Sequence, residues 1–180
     1  MKMKGHIFLV TGPPGVGKTT FIKNMVEALS HLKPAGFFTE EIREAGIRKG
    51  FELVSLKGKR RVLSHAEFKS SFKVGKYCVD LIGFDNFLDD AGFEDPLAHL
   101  YIIDEIGKME CFSEKFISLI LTILNSGKPL IATIALRGPK VIEDIKRRPD
   151  VRLVELTRDN REALSDQIFS LMDAHRSPSP

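Results

Sequence analysis

Gly12-Pro13-Pro14-Gly15-Val16-Gly17-Lys18-Thr19 is the stretch from which this chain is best read. It fits G-x-x-x-x-G-K-[ST] without a mismatch. Such a loop is informative only where a strand enters it and a helix leaves it, and both flanks qualify. Residues 6–11 (HIFLVT) form a short apolar, β-branched run that predicts a buried strand. Residues 19–32 carry Phe21, Ile22, Met25, Val26 and Leu29 at helical spacing. The physics of phosphate binding needs this combination. Glycines let the backbone curl with its N–H groups inward, and the helix N-terminus adds partial positive charge. Lys18 is placed to reach the β- and γ-phosphates, and Thr19 to put a hydroxyl on Mg²⁺.

Outward from the loop, residues 36–42 and 50–56 roughly alternate around Glu44-Ala45-Gly46 and predict a β-hairpin, with Arg61-Val62-Leu63 as a short third strand. Residues 77–80 are read as a strand and 85–91 as a short helix. A second buried strand is expected over 97–104 (LAHLYIID). Ser113 should cap a helix that runs to about Leu124 and stops at Asn125-Ser126-Gly127. Residues 130–135 and 151–156 complete the buried strands. Residues 141–148 and 159–174 predict the remaining helices, the first stopped by Pro149. Strands alternating with helices predict a three-layer α/β/α sandwich, a mostly parallel sheet with an early antiparallel hairpin. Residues 1–175 are expected to form one domain, and 176–180 (RSPSP) a frayed tail.

Composition excludes several classes. The 27 Lys+Arg against 24 Asp+Glu leave a net charge of +3, a small basic excess for a nucleic-acid binder. The densest basic run, Lys57-Gly58-Lys59-Arg60-Arg61, has no interleaved aromatics and reads as a solvated hairpin end. No apolar run approaches the ~18 residues of a membrane span. The apolar stretch after Met1-Lys2-Met3-Lys4 is too short for a secretory signal. Cys78 and Cys111 cannot build a disulfide framework or a four-ligand zinc site, so a reduced, cytoplasmic setting is expected.

The apolar strand ends in Asp104-Glu105. Beside a phosphate loop, a carboxylate at such a strand end makes the second contact to the metal, a role that falls to Asp104. Glu105, one residue on, is placed to polarise a water; the alternative is a solvated turn residue. Phosphoryl transfer also needs positive charge beyond Lys18. Lys108, Arg137 after the third buried strand, and Arg161 at the start of the last helix are candidates, each with a surface role as the alternative. Thr133 is read either as a sensor of the γ-phosphate or as a buried threonine satisfied by backbone. Thr39, Glu40, Glu41 and Arg43 either turn a carboxylate toward the γ-phosphate or form an edge hairpin of alternating charge. His31, His65 and His99 lack metal-ligand spacing, and His99 is expected to be packed within its strand.

Asp104-Glu105-Ile106-Gly107-Lys108-Met109-Glu110 resembles the signature of the THEP-type nucleoside-triphosphatases, a family with vertebrate members called cancer-related nucleoside-triphosphatase. Residues 36–43 (GFFTEEIR), 46–55 (GIRKGFELVS) and 74–77 (VGKY) fit the same family, and the similarity runs from about His6 to Phe169. The resemblance implies a RecA-like/ASCE P-loop fold and Mg²⁺-dependent hydrolysis of ATP, GTP, CTP and UTP with loose base selectivity. It implies nucleotide contacts from Gly12, Pro13, Pro14, Gly15, Val16, Gly17, Lys18, Thr19 and Thr20. A second set would come from Tyr101, Ile102, Ile103, Asp104, Glu105, Ile106, Gly107 and Lys108. Thr19 and Asp104 would hold the metal, with Glu105 and Lys18 as the catalytic groups.

Size and loop also fit a small nucleotide or nucleoside kinase, in which residues 140–148 (KVIEDIKRR) would serve as a lid, or an ATPase module driven by a partner. The Asp104-Glu105 pair favours hydrolysis, because a kinase must avoid activating water. A monomer is expected.

Overall fold

The computed structural model describes residues 6–173; the tail at 176–180 lies outside the described residues. In chain order the strands are β1 (Ile7–Thr11), β2 (Ala35–Glu44), β3 (Ile47–Ser55), β4 (Arg60–His65), β5 (Lys73–Val74), β6 (Tyr77–Val79), β7 (Tyr101–Ile106), β8 (Leu130–Ile134) and β9 (Val151–Glu155). The α-helices are α1 (Lys18–Ala28), α2 (Leu81–Asp90), α3 (Glu114–Asn125), α4 (Lys140–Lys146) and α5 (Arg161–Asp173).

All the strands join one sheet in the order β5-β6-β4-β3-β2-β7-β8-β1-β9. From β2 to β9 the pairing is parallel, and from β2 outward to β5 it is antiparallel. One strand, β8, therefore stands between the phosphate-loop strand β1 and the acidic strand β7. Crossover helices cover both faces of the parallel half, as parallel strands require.

The strand periodicity of two divides the core. Ile7 and Leu9 of β1 face the layer of α2, α3 and α4, where Phe37, Phe84, Phe87, Phe93 and Phe116 cluster. Phe8 and Val10 face the layer of α1 and α5, with Phe21, Ile22, Met25, Leu164, Ile168 and Met172. Burial on both faces is why residues 7–10 are apolar without alternation. The local signals act as their chemistry dictates. Ser113 Oγ accepts from the Phe116 N–H and caps α3. Asp80 accepts from the Gly83 N–H and starts α2 four residues earlier than the apolar pattern predicts, while Arg61 donates to its other oxygen.

Three expectations need correction. The second buried strand occupies Tyr101–Ile106, not 97–104: Asp95 accepts from the Leu97 N–H, Ala98 N–H closes a turn on the Asp95 carbonyl, and the chain extends only beyond Leu100. His99 lies in that approach and is exposed rather than packed. The first helix ends at Ala28 and tightens into a 3₁₀ turn at Ser30–Leu32, since Lys33 takes a left-handed conformation immediately before Pro34. Strand β5 was unread because two residues carry no periodic signal.

At Gly36 two parallel strands approach so closely that an added Cβ would collide with the Ile102 carbonyl, and its φ of 138° lies in the region that favours glycine. Gly36→Ala is expected to destabilise the fold by roughly 3 kcal/mol or more, measured as a lowered midpoint of denaturant unfolding.

Candidate active site

The phosphate loop runs from the end of β1 into α1, with Gly15 and Gly17 at φ of 76° and 100°. Pro13, Pro14 and Gly15 form its exposed crest, and Val16 is buried, anchoring the loop to the α1/α5 core. The Lys18 ammonium donates to the carbonyls of Gly12 (3.0 Å) and Pro13 (3.3 Å), which hold it at the loop. Thr20 is exposed in the first turn of α1.

Asp104 is the point on which the site converges. Its Oδ2 accepts from the Thr19 hydroxyl at 2.7 Å, and its Oδ1 from the Thr133 hydroxyl of β8 at 2.6 Å. Its backbone carbonyl accepts from the Thr39 hydroxyl of β2 at 2.6 Å. The loop, the acidic strand and both its neighbours thus meet at one residue that is 2% exposed. Burial raises the pKa of the carboxyl; the hydroxyls of Thr133 and Thr19, and then Lys18, oppose that shift. A register shift between Ile103 and Ile106 kinks β7 where its acids fall, and the Asp104–Glu105 peptide is cis. A register shift of this kind re-aims side chains at a strand end. The pKa of Glu105 is raised by burial and by the Asp104 charge, with Lys18 pulling it back.

The hydroxyl of Thr19 and the carboxylate of Asp104 are hard oxygen donors in contact with each other. They suit Mg²⁺, which commonly takes one or two protein oxygens and completes its shell with phosphate and water. A carboxylate at the strand end, a hydroxyl and a lysine at the loop together can carry triphosphate chemistry.

The other sequence candidates distribute as follows. Thr133 is satisfied by the Asp104 side chain, not by backbone. The side chains of Tyr101, Ile102, Ile103 and Ile106 enter the two hydrophobic cores, and the Tyr101 hydroxyl donates to the Phe93 carbonyl. Only the C-terminal part of the 101–108 stretch therefore presents polar side chains at the site. Lys108 and Arg137 are exposed. Arg161 reaches back from α5 and donates to the Val16 carbonyl at 2.6 Å, bracing the loop from outside. Its Nε, like Thr11 Oγ1 at the end of β1, is buried without a hydrogen-bond partner among the described residues. Glu40 pairs with Lys23 of α1 and with Arg60, and Glu41 with Arg43 and Arg48, so the hairpin carboxylates are neutralised by neighbours. Within the basic run, Lys57, Arg60 and Arg61 pair with Asp95, Glu52 and Asp80.

Glu110 went unassigned in the sequence reading. It is buried in a 3₁₀ turn (Glu110–Phe112) after β7, and its only sequence signal was its place at the end of the quoted signature. A cavity of about 510 Å³, lined by Phe68, Lys69, Phe72, Asp80 and Ile82 among others, sits at the far strands and includes no residue of the loop or of β7. Among the described residues no helix is long and apolar enough to cross a membrane.

Known proteins resemble this chain in sequence and in fold. A family described as NTPase matches residues 7–169. The nucleoside-triphosphatase THEP1 of Thermotoga sp. (strain RQ2) is 40% identical over 173 residues, covering 93% of this chain and 96% of that protein. The Homo sapiens cancer-related nucleoside-triphosphatase is 38% identical over 190 residues, covering 97% of this chain and all of its own length. The crystal structure of THEP1 from Aquifex aeolicus superposes with a TM-score of 0.81 at 36% identity, covering 92% of this chain and 98% of that one. The solution structure of the human protein gives 0.79 at 36% identity, covering 96% and 100%.

Proposed function

Because this chain belongs to the NTPase family, we propose that it hydrolyses nucleoside triphosphates to the diphosphate and phosphate, in a Mg²⁺-dependent reaction with broad tolerance of the base. The observation that carries this reading is the 2.7 Å contact from Thr19 of the phosphate loop to Asp104, one residue before Glu105. That contact joins the phosphate loop to the end of β7, which supports reading the two oxygens as the metal-binding pair and Glu105 as the catalytic carboxylate beside them.

The loop N–H groups and the start of α1 bind the triphosphate, and Lys18 neutralises charge on its terminal phosphates. Thr19 and Asp104 would hold Mg²⁺, which would supply positive charge to offset that of the phosphates. Thr133 and Thr39 keep Asp104 in place, one through its carboxylate and one through its backbone. Glu105 orients a water in line with the γ-phosphate and takes its proton as it attacks. This reading carries loose base selectivity, with ATP, GTP, CTP and UTP all as substrates. The same reading takes residues 1–175 as one domain acting as a cytoplasmic monomer.

Hydrolysis is favoured over the kinase reading by the packing of α4, which Ile142 and Ile145 anchor in the core and from which Lys146 donates to the Leu136 carbonyl. The deciding assay measures phosphate release from the four nucleoside triphosphates with Mg²⁺, with nucleosides and nucleoside monophosphates added as acceptors. Acceptor-independent release is expected from all four. Phosphate on an acceptor would establish the kinase, and release only with a protein partner would establish the driven module.

A further inference from the structure

One buried carboxylate near the site has no part in the mechanism above. Glu110 is 5% exposed, and no lysine or arginine is among the strongest influences on its charge. The backbone N–H groups of Gly107 and of Glu110 itself pull its pKa down, against the larger effect of burial. Its neighbours along the chain, Met109, which accepts from Ser64, the half-buried Cys111, and Phe112, which packs on Phe72, pack against the core under α2, α3 and α4. Burial, with Glu105 and then Asp104 nearby, pushes its pKa up to about 8, so an uncharged acid is its ordinary state at neutral pH.

The geometry is specific. Glu105 Oε1 and Glu110 Oε2 each lie 2.7 Å from the point a Cβ on Gly107 would occupy. The two carboxyl groups therefore converge on the same small space, kept open by the missing side chain. Any larger residue at 107 would have to displace one of them.

We propose that Glu110 is a positioning residue for hydrolysis: from across Gly107 its carboxyl group fixes the Glu105 carboxylate in the orientation that engages the attacking water, and Gly107 keeps the space between the two groups open. A carboxylate at the mouth of a strand otherwise has several rotamers, and misplacement by about 1 Å can cost up to ~10² in rate. This inference rests on the role of Glu105 given above.

The test compares Glu110→Leu, Glu110→Gln and Gly107→Ala with the wild type and with Glu105→Gln. The readouts are kcat for phosphate release, Kd for a non-hydrolysable triphosphate analogue with Mg²⁺, and Tm. Glu110→Leu removes the polar group without opening a cavity. It is expected to lower kcat about tenfold or more while leaving Kd within about twofold. Glu110→Gln keeps the length and an N–H donor, and is expected to restore kcat to within about threefold of wild type. Gly107→Ala, which leaves both carboxyls present, is expected to lower kcat like Glu110→Leu and carries the test if that variant does not fold. A kcat for Glu110→Leu within twofold of wild type, beside an inactive Glu105→Gln, overturns this inference and leaves the role of Glu105 standing. Joint loss of kcat, Kd and Tm in Glu110→Leu with kcat unchanged in Gly107→Ala makes Glu110 structural and also overturns it. Full activity in Glu105→Gln instead removes the reading on which the inference rests.

Discussion

Glu105→Gln is expected to abolish most phosphate release, by roughly 10²–10⁴ in kcat, while triphosphate still binds with near-normal affinity. The substitution is isosteric, and it removes the negative charge and with it the ability to accept a proton from water. Glu105 lies at the end of β7 and is not part of the Thr19–Asp104–Thr133 hydrogen-bond set, so those contacts survive. Replacing the carboxylate also removes the repulsion from Asp104 that helps raise the pKa of Glu105, so the fold should be no less stable. A loss confined to kcat is the signature of an interaction made only in the transition state. Single-turnover phosphate release, set beside analogue binding, separates the two quantities. A variant that turns over normally would take Glu105 out of the reaction.

Lys18→Ala is expected to act on both quantities. Its ammonium is the cation that eases the charge of both Asp104 and Glu105, and it is held at the loop by the Gly12 and Pro13 carbonyls. Without it, a polyphosphate must approach the buried Asp104 and the half-buried Glu105 with no charge at position 18 to compensate. Loss of a single charged donor at such a site costs about 10²–10³ in turnover, and a weaker Kd adds to that. Isothermal titration with the analogue and initial rates at saturating substrate read the two effects. Arginine at 18 is not expected to rescue, since its planar fork is larger than the compact ammonium it replaces.

The parts of this protein that local chemistry determines were readable from its residues. The phosphate loop is contiguous, so the spacing of its glycines, Lys18 and Thr19 carries its own context. Ser113 as a cap, and the apolar runs of β1 and β8, are equally local. What escaped depends on contacts distant along the chain. Thr39 meets Asp104 only because β2 lies beside β7, and Arg161 meets Val16 only because α5 returns over α1. The burial of Glu110 follows from a 3₁₀ turn with no pattern of its own. The start of β7 was misplaced because Leu97 and Leu100 look like strand residues, although Leu97 is 58% exposed and only Leu100 enters the core. Apolarity marks what is buried somewhere, not which backbone buries it.

The place of β1 in the sheet bears on how the protein is made. The first strand of the chain finds both its partners among the last, with Ile7 opposite Leu130 on one side and Val151 on the other. During synthesis the ribosome releases β1 long before either partner exists, so the segment leading into the phosphate loop must wait unpaired while β2 to β7 emerge. Its four consecutive apolar residues are then a natural foothold for a chaperone.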